Sequence, residues 1–285
     1  MQIIKITILV LFITFMSSVH AKQENIQSYQ VVIESGTDNI LNALSNNAKS
    51  QKISQKPLGE IIQWTGLQLL NSPYVSYLLD KSTPEYLYIS LSNTDCMLFI
   101  EEVLVISNLI KENRLTMVNY IDGIKKLRYH GDIKYCNRNH YFKDWAVMNN
   151  QAVYDVAFSL TAESLPYKTH VLGDSIANGK NNNYSSLDCI RQREKLIDKE
   201  TMGFIPLSSL PKYIQYIQAG DIIGIVRSGK KADSIYHLGI AYIHDGKVGM
   251  INASSITKKV IIADTLTGYL SKFKDTEGII LLRAK

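Results

Sequence analysis

The residue in this sequence that is best placed for covalent chemistry is Cys96. It follows Asn93, Thr94 and Asp95, which are all good helix N-cap residues, and it precedes the mostly apolar residues 97–110, which have the length and composition of a buried helix. A thiol in the first turn of that helix faces unpaired backbone N–H groups and the positive end of the helix dipole, which predicts a lowered thiol pKa. The alternative is a small buried hydrophobic residue, since free cysteines often are. A nucleophilic Cys96 also requires a base.

Among the six histidines, His237 is the candidate base because it opens a predicted strand. Gly239 lies two residues further on the same face, where its missing side chain leaves room for another group. The Asp245-Gly246 pair predicts a two-residue hairpin turn, which sets Asn252 opposite Gly239 and diagonal to His237. A polar side chain there could hydrogen-bond the imidazole and fix its tautomer. Alternatively, His237 is an ordinary sheet histidine and Asn252 only ends a strand. The remaining histidines are His20, His130, His140, His170 and His244.

The elements that must position these residues fall into two halves. Residues 58–70 and 97–110 have helical periodicity or composition, and residues 85–91 form a plausible strand that leads into the Cys96 turn. The C-terminal third reads as strands at residues 222–226, 236–243, 248–253, 259–263 and 278–282. The sequence therefore predicts an α+β fold, with a helical half followed by a mainly antiparallel sheet. A cysteine at a helix start, a histidine on one strand and an amide on the next is the papain-like arrangement of nucleophile, base and orienting group.

A further predicted helix is capped by Thr116 and closes near His130-Gly131, and an aromatic and polar segment at residues 138–145 follows it. Connections of this kind hold many ligand-contacting residues, and rings stack on flat or apolar ligand faces. On this basis Asn139, His140, Tyr141 and Trp145 are predicted to bind substrate. The alternative is an aromatic cluster that holds a long insertion against the protein.

Three cysteines are present, and an odd number in an oxidising compartment leaves a free thiol or an intermolecular bridge. If Cys136 and Cys189 pair, Cys96 is the free thiol, which suits catalysis. The alternative is three unpaired thiols.

The N-terminus has the features of a secretory signal. Lys5 precedes a short apolar run and the small residues around Ala21, so residues 1–21 are predicted to be removed, residues 22–60 to form a lead-in and residues 61–285 to form the main domain. Loss of residues 1–21 removes Lys5 and no acidic residue, which lowers the formal net charge from +5 to +4. The mature protein is predicted to be periplasmic or secreted, with no stable membrane insertion. Its basic residues are dispersed, which predicts no nucleic-acid partner but allows weak attraction to an anionic cell wall.

Several motifs, in order from about residue 67 to the C-terminus, resemble the N-acetylmuramoyl-L-alanine amidase-like family of the NlpC-type, papain-like cysteine amidases. The motifs are Asp95-Cys96, residues 138–145, Gly220-Asp221-Ile222-Ile223, His237-Leu238-Gly239-Ile240-Ala241, Asn252-Ala253-Ser254-Ser255 and residues 278–283. The resemblance implies a papain-like fold and hydrolysis of the amide between the lactyl group of N-acetylmuramic acid and L-alanine, or of a nearby bond in the peptide stem.

By position, the resemblance assigns Cys96 as nucleophile, His237 as base and Asn252 as the third residue, although the family pattern has histidine at the last position. It implies peptidoglycan fragments as the partner, no cofactor and no metal. Three alternatives remain: a stem-peptide endopeptidase of the same fold, an exported wall-binding module without activity, and a metal hydrolase that uses His130, Asp132 and His140.

Overall fold

The computed structural model describes residues 31–80, 85–164, 187–228 and 235–285. The predicted signal peptide and His170 lie outside the described residues, and the domain division remains a prediction. The first half contains strands β1 (Val31–Ile33) and β2 (Leu87–Ile89) and helices α1 (Thr37–Ser50), α2 (Leu58–Gln68), α3 (Cys96–Lys111), α4 (Met117–Arg128) and α5 (Phe142–Met148). Short 3-10 turns occur at Ile53–Gln55, Leu78–Asp80 and Tyr135–Asn137.

The second half is built mainly around a sheet. Its strands are β3 (Val153–Asp155), β4 (Ile205–Pro206), β5 (Ile222–Arg227), β6 (Ile235–His244), β7 (Lys247–Ser254), β8 (Lys259–Ala263) and β9 (Thr276–Ala284). The helices are α6 (Val156–Thr161), α7 (Leu187–Ile197), α8 (Leu210–Tyr213) and α9 (Leu266–Leu270), with a 3-10 turn at Ile214–Tyr216. The sheet order is β3-β9-β5-β6-β7-β8, with β4 also paired to β9. Every described pairing in this sheet is antiparallel, which confirms the predicted α+β class and sheet type.

Both faces of the sheet are covered, because the apolar side chains of its central strands alternate between two hydrophobic clusters. Ile222 and Ile280 pack in the cluster shared with helices α1 to α5, whereas Ile223 and Ile279 pack in the cluster shared with α6, α8 and α9. A strand with both faces buried reads as a nearly continuous apolar run, as residues 222–226 do.

Helix α3 is the central helix of the first cluster. It contacts α2, α4 and strands β6 and β7, and its side chains from Leu98 to Ser107 are all buried. Burying one large aliphatic side chain contributes about 1.5–3 kcal/mol, so this helix is held firmly against the sheet. Only its first turn, at Cys96 and Met97, and a few positions near its C-terminus retain exposure. The start of α3 is therefore a rigid, partly accessible place for a reactive group.

The segment predicted as an N-terminal lead-in is packed into the same body from residue 31 onward. Strand β1 pairs in parallel with β2, and Leu41 and Leu44 of α1 lie in the main hydrophobic cluster. Helix α1 accounts for Thr37–Ser50 of this segment.

The β6–β7 hairpin has the register that the Asp245-Gly246 turn predicts. Ile240 pairs with Ile251 and His244 with Lys247, as a two-residue turn requires. The space that the absent Gly239 side chain leaves is filled by Met250 of β7, because an added Cβ at Gly239 would lie 2.6 Å from the Met250 side chain. The hairpin thereby fixes where His237 and Asn252 lie relative to each other.

Candidate active site

Cys96 is the first residue of α3, and Asp95 is its N-cap. One Asp95 carboxylate oxygen accepts the backbone N–H groups of Met97 and Leu98, each at 2.9 Å. Such a cap satisfies donors that the helix cannot pair internally. Among the described contacts of this first turn, no capping group accepts a hydrogen bond from the Cys96 backbone N–H.

The thiol pKa differs from the sequence-based prediction. Burial, followed by the charge of the neighbouring Asp95 carboxylate, raises the pKa of the Cys96 thiol to about 12. Backbone N–H groups of Leu238, Cys96 and Met97 act in the opposite direction but do not outweigh these two causes. The prediction of a lowered pKa was wrong because the sulfur is buried and because the carboxylate that caps the helix brings a negative charge beside the thiol. The resting form is therefore the neutral thiol.

His237 and Asn252 are joined by a hydrogen bond, as the hairpin register predicts. The distance from His237 Nε2 to Asn252 Oδ1 is 3.0 Å, and both side chains are buried. Burial lowers the pKa of His237, while the Asn252 contact partly counters this effect. The imidazole is thus neutral near pH 7. With Nε2–H donating to an amide oxygen, its Nδ1 carries a free lone pair.

Tyr269 is a further member of this group that the sequence did not indicate. Its hydroxyl donates to Asn252 Oδ1 at 3.2 Å, and its ring centroid lies 6.3 Å from that of His237. The amide oxygen has two lone pairs and therefore accepts from both neighbours. Tyr269 lies on α9, after β8, so only the tertiary fold brings it here.

The cysteine and histidine elements meet directly. The backbone N–H of Leu238, the residue after His237, lies close enough to the Cys96 sulfur to favour its ionised form, and α3 packs on β6. The structure therefore places Cys96 near the hydrogen-bonded group of His237, Asn252 and Tyr269.

A cavity of about 640 Å³ opens at Cys96. It is lined on one side by the start of α3 and on the other by the segment around the Tyr135–Asn137 turn. The lining residues are Tyr74, Ser76, Tyr77, Leu79, Asp80, Asp95, Cys96, Met97, Tyr135, Arg138, Asn139 and His140. A volume of this size suits a ligand of drug size or larger.

Two of the four residues predicted to bind substrate line this cavity. His140 Nε2 lies 2.7 Å from the Tyr135 carbonyl oxygen, and burial followed by the Arg138 charge lowers the pKa of His140 to about 4. Its imidazole is therefore neutral at pH 7. Asn139 donates from Nδ2 to the Leu127 carbonyl oxygen at 2.9 Å, which fixes its orientation at the cavity wall.

Tyr141 and Trp145 are placed elsewhere, which corrects the prediction for them. Trp145 has no exposed surface and packs in the main hydrophobic cluster, and Tyr141 is buried with its hydroxyl bonded to Glu194 of α7. A fully buried ring contacts protein neighbours rather than a ligand. For these two residues, the alternative of an aromatic cluster that holds the insertion in place fits the structure.

The cysteines pair as the conditional prediction proposed. Cys136 and Cys189 form a disulfide with a Cα–Cα distance of 5.8 Å, and Cys96 is free. The bridge ties the Tyr135–Asn137 turn, which borders the cavity, to α7.

The residues considered as zinc ligands have other partners. His130 Nδ1 lies 3.2 Å from the Arg193 guanidinium, and its Nε2 lies 3.4 Å from an Asp144 carboxylate oxygen. His140 is bonded to the Tyr135 carbonyl, as described above. Within residues 31–80, 85–164, 187–228 and 235–285, no group of three His, Cys, Asp or Glu side chains could hold a metal ion.

In the same residues, no helix has both the length and the apolarity needed to cross a bilayer.

Fold and site together define an α+β protein with a free thiol beside a hydrogen-bonded imidazole and amide. The family model described as AmiA-like, N-acetylmuramoyl-L-alanine amidase-like, matches residues 64–279. The chain belongs to this family.

Several solved structures are similar to the chain. An N-acetylmuramoyl-L-alanine amidase from Bacteroides uniformis is 27% identical, with a TM-score of 0.74 over 80% of this chain and 99% of that one. A Bacteroides fragilis protein named as a candidate xylanase is 25% identical, with a TM-score of 0.70 over 77% of this chain and 99% of that one. A Legionella pneumophila protein of the DUF1460 family model is 18% identical, with a TM-score of 0.66 over 87% and 94%, and shares the fold. No curated protein matches the chain.

Proposed function

We propose that this chain is an exported, papain-like cysteine amidase of the NlpC-type superfamily that cleaves the amide between N-acetylmuramic acid and L-alanine in peptidoglycan fragments. One observation carries the proposal: His237 is hydrogen-bonded to Asn252 at 3.0 Å, and the backbone N–H of the next residue, Leu238, lies close to the Cys96 sulfur. Family membership supplies the substrate class. Periplasmic or secreted localisation is part of the proposal and follows from the signal-like residues 1–21.

The first half of the reaction forms a thioester. His237 Nδ1 takes the Cys96 thiol proton as the sulfur attacks the amide carbon, so no thiolate has to exist beforehand. The oxyanion that develops lies near the start of α3, where the uncapped Cys96 N–H can donate to it. The imidazolium then gives its proton to the departing nitrogen, the C–N bond breaks, and the amine product leaves.

The second half regenerates the enzyme. Water attacks the thioester while His237 accepts one of its protons, and that proton returns to the sulfur as the carbon–sulfur bond breaks. One amide and one water give one carboxylic acid and one amine. Asn252 holds the imidazole in the tautomer that both halves need, and a neutral imidazole is available near pH 7 because burial lowers the pKa of His237.

The cavity favours amide hydrolysis over cleavage of a glycosidic bond. A glycosidase of the common type needs two carboxyl groups free to act on the sugar. Of the acids that line the described cavity, Asp95 is committed to the helix cap and Asp80 accepts from Arg138 at 2.7 Å. The free thiol is the chemically distinctive group there.

The test is the mass of the products released from one defined muropeptide by the purified mature protein, with and without a chelator. The proposal predicts a free muramic acid derivative and an intact peptide that begins with L-alanine, at equal rates in both samples. Fragments cut within the peptide would indicate the stem-peptide endopeptidase, loss of activity with chelator would indicate a metal hydrolase, and binding without turnover would indicate a wall-binding module.

A further inference from the structure

A group of aromatic side chains borders His237. Tyr236 is 46% exposed, and its ring lies 6.3 Å from that of His237 and 6.0 Å from that of Phe273. Phe273 in turn lies 5.5 Å from Tyr269. None of Tyr236, Phe273 and Arg227 lines the cavity at Cys96. We call these three residues the ring wall.

A β-bulge explains why Tyr236 lies beside His237. Ile225 of β5 pairs with His237, but the next residue, Val226, pairs with Ile235, so Tyr236 is an extra residue in β6. In a regular strand, neighbouring side chains point to opposite faces, which would separate these two rings. A bulge redirects side chains locally and is frequent next to active sites. The backbone irregularity therefore brings an exposed ring next to the proposed base.

The Tyr236 ring is held in place on one side. The Arg227 guanidinium lies 4.0 Å from its centroid and is itself fixed by an ion pair to Asp275 at 2.6 Å. A cation over one face of a ring holds that face and leaves the other for a second contact. An ordered aromatic side chain offers contact area at low cost in conformational entropy, which is typical of binding sites.

The proposed reaction determines which part of the substrate contacts the ring wall. The acyl carbon bonds to the Cys96 sulfur and its oxygen points to the start of α3, so the acyl group extends into the cavity. The departing nitrogen has to receive its proton from His237. The chain attached to that nitrogen therefore leaves on the His237 side, where the ring wall lies.

We infer that the ring wall, Tyr236 with Arg227 and Phe273, is the leaving-group subsite and binds the short peptide whose first residue supplies the departing amine. The inference rests on the proposed function, since it takes its direction from the roles of Cys96 and His237. The exposed Tyr236 face packs against aliphatic parts of the peptide, and the guanidinium edge adds a polar contact for a carbonyl or carboxylate oxygen.

The test compares two substrates that share the muramoyl acyl group and differ in the leaving group: N-acetylmuramoyl-L-alanine and N-acetylmuramoyl-tripeptide. The wild type should prefer the longer substrate in kcat/KM. Tyr236→Ala should lower this preference by about 3- to 10-fold, the range expected for loss of one stacking contact. Tyr236→Phe keeps the ring and should retain most of the preference. Tyr216→Ala, which removes another exposed tyrosine, is the matched control.

A second measurement keeps the inference testable if no muropeptide is hydrolysed. Calorimetric titration of the free tripeptide into Cys96→Ala should give binding that Tyr236→Ala, in the same background, weakens by a similar factor. An unchanged substrate preference in Tyr236→Ala, or tripeptide binding equal in both proteins, would overturn the inference. Absence of turnover on any muropeptide with Tyr236-dependent peptide binding would reject the proposed function alone.

Discussion

The hydroxyl of Tyr269 donates at 3.2 Å to Asn252 Oδ1, the same atom that lies 3.0 Å from His237 Nε2. Two donors on one amide oxygen hold the side chain in a single orientation, with the oxygen facing the imidazole. That orientation requires Nε2 of His237 to carry the proton, which leaves Nδ1 able to take a proton from a thiol. The hydrogen-bond chain from Tyr269 through Asn252 to His237 therefore sets the tautomer.

Asn252 should govern rate more than substrate affinity. Asn252→Ala is predicted to lower kcat by about 10- to 100-fold with a small change in KM, because a mispositioned imidazole still reacts in a fraction of encounters. Asn252→His should restore most of the rate, since an imidazole there can also accept a hydrogen bond. The measurement is turnover of one muropeptide by each variant, with folding checked by circular dichroism. Wild-type rates in Asn252→Ala would mean that another residue orients His237.

The Cys96 thiol should ionise only at high pH. With a thiol pKa of about 12, alkylation by iodoacetamide should accelerate with rising pH and reach no plateau up to pH ~10, because the thiolate fraction is still growing. The reagent reports on Cys96 because Cys136 and Cys189 are bonded to each other. Asp95→Asn removes the nearby negative charge and should raise the rate at pH 8. Asp80→Asn, which changes another cavity carboxylate, is the control, and a plateau below pH 8 in the wild type would contradict a raised pKa for Cys96.

His140 and Trp145 should separate binding from packing. His140→Ala removes a cavity hydrogen-bonding group, worth about 0.5–1.5 kcal/mol, and should raise KM by about 2- to 10-fold. Trp145→Phe should leave kinetics unchanged, since the ring is buried and its Nε1 has no partner among the described residues. Trp145→Ala should instead cost about 3–5 kcal/mol of unfolding free energy, measured by urea titration. An altered KM in stably folded Trp145→Phe would indicate that Trp145 contributes to substrate binding after all.

A buried ion pair behind the site should matter for stability. Arg128 Nε lies 2.8 Å from a Glu101 carboxylate oxygen, and both side chains are nearly fully buried. Arg128→Ala leaves that carboxylate without its partner and should lower the free energy of unfolding by about 3–5 kcal/mol. The exposed pair Arg114 and Glu112 is the control, because Arg114→Ala should cost only about 0–1 kcal/mol. Equal losses in urea denaturation would contradict the role of burial.

Local patterns were sufficient for much of the fold and for part of the site. The Asp245-Gly246 turn determines the β6–β7 register through geometry alone, so the contact between His237 and Asn252 was predictable from the sequence. Apolar residues 97–110 likewise predicted α3 within one residue at each end. These features depend on neighbours that are close in the sequence.

The rest depends on tertiary packing, which no local pattern records. Tyr269 reaches Asn252 because α9 packs on β7, and nothing in its own segment indicates this. Trp145 was predicted to bind a ligand because the residue type alone does not distinguish a buried aromatic side chain from an exposed one. The prediction of the Cys96 pKa failed for another reason. It considered the helix dipole, but not the burial of the sulfur or the charge of the Asp95 cap.

Turnover of a defined muropeptide by Cys96→Ala, measured beside the wild type, tests most directly whether Cys96 is the nucleophile. The substitution removes only the sulfur from a partly exposed position, so circular dichroism and urea denaturation should show an intact fold. We expect hydrolysis in Cys96→Ala to fall to the uncatalysed background while the wild type releases the peptide. Near-wild-type turnover by the folded Cys96→Ala variant would rule out Cys96 as the nucleophile.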